Sequence, residues 1–404
     1  MDDVPIKNNN NNPTVLRIFF YGGVVTSLFL GVLTFYLTSK ESFKNKSTTM
    51  QVVVGLPINN EISRSITDGV ELSIGQNTMI NGKRVEIVSI DTGNTEGIPV
   101  VSKEINAAKQ SAENENVVAY IGPLTAGAAD VVIPELNKGY LFNIMPIASA
   151  SYVTKSGYRN GYPRLLYPTN FRSLARVSPS VDMSVRGVYE FAESISSKKT
   201  LIIRSNGSSD LQAQKNNELL DADMVTDAEF VQKMGLSQYN VIVVITEFGS
   251  PLGTDIFHKL LTFKKQQNIS VIFNQTYDDT NEIIEFSKIF EGTTYVVSSF
   301  LDASLIKEYK TDFYNAFIDV YGYDPDKYAY AGYDSAQLVL EVLSKTSLPS
   351  RGSYLRTLSS LRMFNGATGV VPINEFGDLR NNKIMVYKII SGVKYLEKEY
   401  LYEQ

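Results

Sequence analysis

From residue 49 onward the chain alternates short β-branched runs with amphipathic stretches, and that rhythm admits few folds. Gln51–Leu56 (QVVVGL) is an apolar run closed by the turn-forming Pro57 and Asn59, which predicts a buried strand. Ile62, Ile66, Val70 and Ile74 follow at a spacing of four, one face of a helix. Val85–Ile90 predicts the next strand and the Asp91-Thr-Gly-Asn turn ends it; 99–114 reads as helix, Val117–Ile121 as strand, Ala126–Leu136 as helix and Tyr140–Met145 as strand. A second series contains Thr200–Ile203, Val241–Thr246, Ser270–Asn274 and Thr294–Ser298, with helical segments between them. Strands separated by helices pair in parallel through βαβ units, so the chain is expected to be α/β with two sheets in two lobes. Between the series, Ser156–Arg176 is rich in Tyr, Pro, Arg and Gly and reads as irregular crossover chain.

The N-terminus is a different kind of segment. Residues 1–15 include five successive asparagines, Asn8 to Asn12, and such a tract buries too little apolar surface to fold. Residues 16–39 are expected to form a transmembrane anchor or a signal sequence. Within them Ile18–Ser39 carries no charge, and at about 1.5 Å per residue it matches a hydrocarbon core of roughly 30 Å. Lys40, Lys44 and Lys46 follow the run while Lys7 and Arg17 precede it, so charge alone does not orient it.

Composition removes several function classes. Acidic residues outnumber basic ones, 43 to 38, without a concentrated basic block, which argues against nucleic-acid binding. The chain has no cysteine, so disulfides, thiolate metal sites and cysteine nucleophiles are excluded. Its one histidine, His258, sits in an amphipathic stretch and reads as a surface residue. No Gly-x-x-x-x-Gly-Lys-Ser/Thr phosphate loop, Gly-x-Ser-x-Gly elbow or Asp-x-Asp-x-Asp-Gly calcium loop occurs. A binding module is expected here, with no enzymatic activity, cofactor or metal.

Several stretches, in matching order, resemble one family. They are Gly69-Val-Glu-Leu, then Asn81-Gly-Lys-Arg-Val-Glu-Ile and Asp91-Thr; Val118-Ala-Tyr-Ile-Gly-Pro-Leu-Thr and Pro146-Ile-Ala-Ser-Ala-Ser; Phe313–Tyr321, Gly322-Tyr-Asp-Pro and Tyr328-Ala-Tyr-Ala-Gly-Tyr-Asp-Ser-Ala; and Gly366-Ala-Thr-Gly-Val with Ile373-Asn-Glu-Phe-Gly-Asp. The chain resembles the leucine/isoleucine/valine-binding proteins of branched-chain amino acid ABC transporters, which have the type I periplasmic-binding-protein fold. That resemblance implies two Rossmann-like lobes joined by a three-strand hinge, with 50–172 plus 299–376 in lobe 1 and 173–298 plus 377–404 in lobe 2. It also implies an extracytoplasmic, membrane-anchored module that clamps a small polar ligand, an amino acid or a related compound, for an ABC importer's permease subunits.

Ligands of open parallel sheets sit beyond the carboxyl ends of the strands. Pro123-Leu-Thr-Ala-Gly after one strand opens a helix whose free N–H groups suit a carboxylate, and Ile147-Ala-Ser-Ala-Ser after the next supplies hydroxyls. By the resemblance Leu124, Thr125, Ala126, Ile147, Ala148 and Ser149 are ligand contacts, and Glu247, Phe248, Gln275, Tyr277 and Asp278 form the second-lobe wall. Ala126 stands where amino-acid binders carry serine. Gln275 stands where they carry the carboxylate that pairs with an ammonium, and a neutral amide makes no charge-assisted bond. Thr125 and Ser149 have a second reading as helix caps, Asp278 and Asp279 one as solvated turn or cap residues, and Tyr321, Tyr323, Tyr328, Tyr330 and Tyr333 read as helix packing rather than a stacking surface. Two alternatives to delivery stay open: a ligand-sensing ectodomain, and an interaction module of the same fold without a transport role.

Overall fold

The computed structural model describes residues 49–403 apart from 76–77, 205–221, 233–235, 246–253, 265–268, 275–280, 291, 301–311 and 368. The expected tail and anchor at 1–39 lie outside the described residues; among those described, no helix is long and apolar enough to cross a membrane.

The first half runs β1 (Thr49–Leu56), α1 (Glu61–Ile74), β2 (Met79–Ile80), β3 (Lys83–Asp91), α2 (Val101–Glu113), β4 (Val117–Ile121), α3 (Ala126–Lys138), β5 (Phe142–Met145) and β6 (Leu174–Arg176). These strands form a sheet of order β2-β3-β1-β4-β5-β6, parallel except for β2. β5 starts two residues later than the apolar run suggests. Tyr140 takes a left-handed φ of 52° and Leu141 N–H bonds back to the Leu136 carbonyl, so both close α3. β6, read from the sequence as irregular, pairs with β5, and the chain crosses over after it.

The second half comprises α4 (Val181–Ile195), β7 (Lys199–Arg204), β8 (Ala222–Thr226), α5 (Asp227–Gln232), β9 (Tyr239–Ile245), α6 (Thr254–Lys264), β10 (Ser270–Asn274), α7 (Asn281–Ile289) and β11 (Thr294–Ser298). The chain then returns to the first lobe with α8 (Asp312–Tyr321), α9 (Lys327–Lys345), α10 (Arg351–Ser360), β12 (Met363–Gly366) and β13 (Gly369–Pro372). It ends in the second with β14 (Asn381–Ile390) and β15 (Val393–Glu403). The second sheet has the order β15-β14-β11-β10-β9-β7-β8, antiparallel only along β15, β14 and β11.

Both sheets are covered on both faces, the setting parallel strands require. In β1, Val52 and Val54 pack with Ile66 and Val70 of α1 and Leu338 and Val339 of α9. Val53 points the other way, toward Ala108 of α2 and Val132 and Leu136 of α3. In the second lobe Ile242 and Val244 meet Leu260 and Phe286, while Val241 and Val243 meet Val185 and Val188 of α4. α1 and α9 cross at backbone contact: a Cβ on Gly69 would lie 2.0 Å from the Ala329 carbonyl oxygen, and one on Gly332 2.0 Å from that of Ile66. The tyrosines of this region are mostly helix packing, with Phe313 and Phe317 of α8 against Tyr330, Tyr333, Tyr321 and Tyr323.

The crossovers are tied together by buried polar chemistry. Arg176, fully buried at the end of β6, pairs with Asp378 ahead of β14 at 2.6 Å. Its other donors go to the Ala150 carbonyl at 2.9 Å and to Thr154 Oγ1, which itself donates to Asp378 at 2.8 Å. Gly377 fits this joint because its φ is 81° and a Cβ would lie 2.3 Å from the Leu174 carbonyl oxygen.

Candidate ligand site at the carboxyl ends of the first sheet

β4 ends at Ile121, and Gly122 lets the chain turn there: its φ is 133° and a Cβ would lie 2.6 Å from the Gly55 carbonyl oxygen. Three residues on, Thr125 caps α3, its Oγ1 accepting from Ala128 N–H at 3.3 Å with extended φ and ψ of −122° and 157°. The cap leaves the Ala126 and Gly127 N–H groups, at the positive end of the helix dipole, unclaimed among the described residues. Gly127 is exposed, and nothing lies within 4 Å of where its Cβ would be. The Ala126 carbonyl is held from behind by the Tyr152 hydroxyl at 3.1 Å.

β5 runs beside β4, so the chain after Met145 emerges next to this cap. Gly122 N–H donates to Ile144 at 2.9 Å and Asn143 Nδ2 to Gly122 at 3.3 Å, which fixes the two ends relative to each other. Ser149 is half-buried, and its hydroxyl has no partner among the described residues. Its carbonyl accepts from Val181 N–H at 2.7 Å, the first residue of α4 in the other lobe. Just beyond, Lys155 Nζ meets Asp182 Oδ2 at 2.7 Å, Ser151 donates to Asp182 Oδ1 at 2.6 Å and Tyr158 reaches it at 3.2 Å. Burial alone would raise Asp182, but the Lys155 charge and the bonds from Lys155, Ser151 and Ser180 outweigh it and hold the carboxyl below its ordinary value.

The neighbouring lip is made by the ends of β1 and β3. Asp91 Oδ1 accepts from Ile58 N–H at 3.1 Å and Gly93 N–H at 3.0 Å, and Lys103 bonds Oδ2 at 2.8 Å. That lysine bond is the main cause holding Asp91 below the usual carboxylate range.

The structure brings Thr125, Ala126 and Ser149 to one accessible edge. The side chains of Leu124 and Ile147 are buried in the core shared with α1 and α9, and that of Ala148 in a smaller cluster with Ala129 and Met145, so these three side chains do not lie on the accessible edge. Glu247, Phe248, Gln275, Tyr277, Asp278 and Asp279 lie outside the described residues. The sequence reading expected free N–H groups at this helix start without naming Gly127 as a contact, and it missed the Lys155–Asp182 link. The first follows from recognising Thr125 as the cap; the second has no local signal, because its partners belong to different lobes. No group of His, Asp or Glu residues able to hold a metal occurs among the described residues.

No protein-family model matches the sequence, and no curated protein matches it. Solved structures do. A leucine-binding protein from Thermotoga maritima superposes with a TM-score of 0.65 at 15% identity, over 87% of this chain and 98% of that one. The fold is that of the type I periplasmic binding proteins. An ABC-transporter solute-binding protein from Rhodopseudomonas palustris, in complex with 3,4-dihydroxybenzoic acid, gives 0.67 at 18% identity over 88% and 98%. The branched-chain amino acid transporter substrate-binding protein of Streptococcus pneumoniae, in complex with isoleucine, gives 0.61 at 15% over 88% and 100%. In this periplasmic-binding-protein fold the β4 and β5 ends stand beside the first crossover, where Ser149 already touches α4.

Proposed function

We propose that the chain is an extracytoplasmic solute-binding protein, held at a membrane by residues 16–39, that captures a small carboxylate and delivers it to an ABC importer. The observation that carries this is the α3 cap: two backbone N–H groups at a helix N-terminus and, after the neighbouring strand, a Ser149 hydroxyl, none of them with a partner among the described residues. Helix dipole and N–H donors together favour an anionic oxygen pair. The solutes named for the structural neighbours, isoleucine and 3,4-dihydroxybenzoic acid, share a carboxylate and little else. Hinge closure would follow from the ligand's better affinity for the closed form.

Thermal unfolding of residues 49–404 against amino acids, aromatic acids and their amides tests the reading. A ligand at about 100 times its dissociation constant adds roughly 2.7 kcal/mol, a shift of several degrees. The expected result is a response to acids and none to the matching amides, weakened by Ser149→Ala. A well-folded protein indifferent to every carboxylate refutes it.

A further inference from the structure

A cavity of about 460 Å³ lies away from the loops after β4 and β5 and shares no residue with them. Its walls come from all three crossovers, at Val177 and Pro179, at Ser299 and Phe300, and at Leu379, together with α9 of the first lobe and β14 and β15 of the second. That volume is in the range of small-molecule sites. We propose that this cavity is a second ligand site, for a molecule with one ammonium group on an apolar body, and that its occupancy sets the angle between the lobes.

The ligand chemistry follows from Asp334. Its Oδ1 accepts from the Ala367 N–H at 2.6 Å, and no cation of the described residues lies within ion-pair distance of it. Burial pushes its carboxyl up to about 7, the state of an acid in want of a counter-charge. An ammonium supplies that charge and the missing donors. The lining also offers apolar surface for the ligand's body, from Ala331, Val371, Met385 and Leu401. The two lysines of the wall do not do this work. Lys383 pairs with Glu399 at 3.3 Å, and Lys327 lies over the Tyr328 ring at 5.2 Å, seven residues or roughly 10 Å along α9 from Asp334. Cationic charge at that far end also disfavours a diamine, so the ligand carries a single positive group.

The coupling follows from the walls. Rotation of one lobe moves β14 and β15 relative to α9, so the cavity fits a ligand best at one angle. A ligand with unequal affinity for two angles shifts their populations.

The test uses the full chain, with 2-phenylethylamine as probe and 2-phenylethanol as its neutral counterpart. Binding is followed by thermal unfolding, and the lobe angle by the distance between spin labels on Lys138→Cys and Lys288→Cys, two exposed positions in a chain without cysteine. The amine should bind at least tenfold more tightly than the alcohol and shift or narrow the label distance. Asp334→Asn keeps an acceptor for the Ala367 N–H and should erase the amine's advantage. Leu401→Trp, on an exposed position of β15, should block both probes. Equal binding of amine and alcohol, an advantage that survives in Asp334→Asn, binding that survives Leu401→Trp, or no amine response at millimolar concentration overturns the site. Bound amine with unmoved labels overturns the coupling.

Discussion

Glu104 offers the sharpest test of the energetics. It is fully buried on α2, and among the described residues no well-formed hydrogen bond reaches either carboxyl oxygen; the buried Thr92 hydroxyl is near enough to act on the carboxyl without closing one, and the Tyr120 hydroxyl is buried without a partner. Burial pushes the carboxyl from 4.5 up to about 7, with the Thr92 hydroxyl pulling it partly back. In the unfolded chain the same group ionises above about 4.5. The folded state therefore binds the extra proton between those two values, and stability falls as pH rises through the window. The cost is absent below about pH 4.5 and complete above about pH 7. A displacement of about 2.5 pH units at ~1.36 kcal/mol each gives about 3 kcal/mol. Glu104→Met, close in volume and apolar, removes the charge that must be desolvated. Urea unfolding of both proteins should give equal stabilities within about 1 kcal/mol at pH 4.5 and a variant more stable by about 2–3 kcal/mol at pH 8. Asp334, also raised to about 7, is common to both and cancels in the difference. A variant less stable at pH 8, or a difference that does not change with pH, would show that Glu104 is solvated or paired in the folded protein.

Three further outcomes are expected. Asp378→Asn strands the Arg176 charge inside the crossover joint and should cost about 3–5 kcal/mol in chemical unfolding; a loss under 1 kcal/mol would mean water reaches the joint. Gly332→Ala forces a Cβ against the Ile66 carbonyl and should destabilise by about 1–3 kcal/mol, whereas Gly352→Ala, with open space above it on α10, should stabilise by about 0.5–1 kcal/mol; equal signs for the pair would contradict the helix crossing. Ala126→Pro sits at the first residue of α3 behind an extended Thr125, so the backbone tolerates it while one open N–H disappears. Calorimetry of whichever carboxylate the protein binds should then show a loss of about 1.5–3 kcal/mol, and unchanged affinity would remove the cap from the site.

Periodicity made the parallel strands legible, because β1, β4, β9 and β10 are buried on both faces and read as unbroken β-branched runs. It failed where pairing depends on distant chain. β6 is three residues long and owes its existence to β5, and β15 is a strand only because it lies beside β14, with much of its surface exposed. The stretches that carried the family resemblance prove to be tertiary joints: Gly69 and Gly332 at a helix crossing, Ala367 on Asp334, Gly377 and Asp378 at the crossovers. Such residues are fixed by contacts that no local pattern records. Of the candidate site, the Thr125 cap was readable from Pro123-Leu-Thr-Ala-Gly, whereas the setting of the Ser149 hydroxyl, without a partner among the described residues, appears only once β5 is placed beside β4.

The ion pair between Arg176 and Asp378 gives the molecule a mechanical property. It clamps the first and third crossovers together, and under the proposed hinge closure the second sheet would turn about that pivot as a lever of unequal arms. With strands about 4.8 Å apart, β11 stands one interval from β14 and β8 five, in the order β14-β11-β10-β9-β7-β8. A swing of about ten degrees about that pivot carries β8 roughly 4 Å and β11 under about 1 Å. The same pull would thus exert about five times the torque at β8 that it exerts at β11, through about five times the travel.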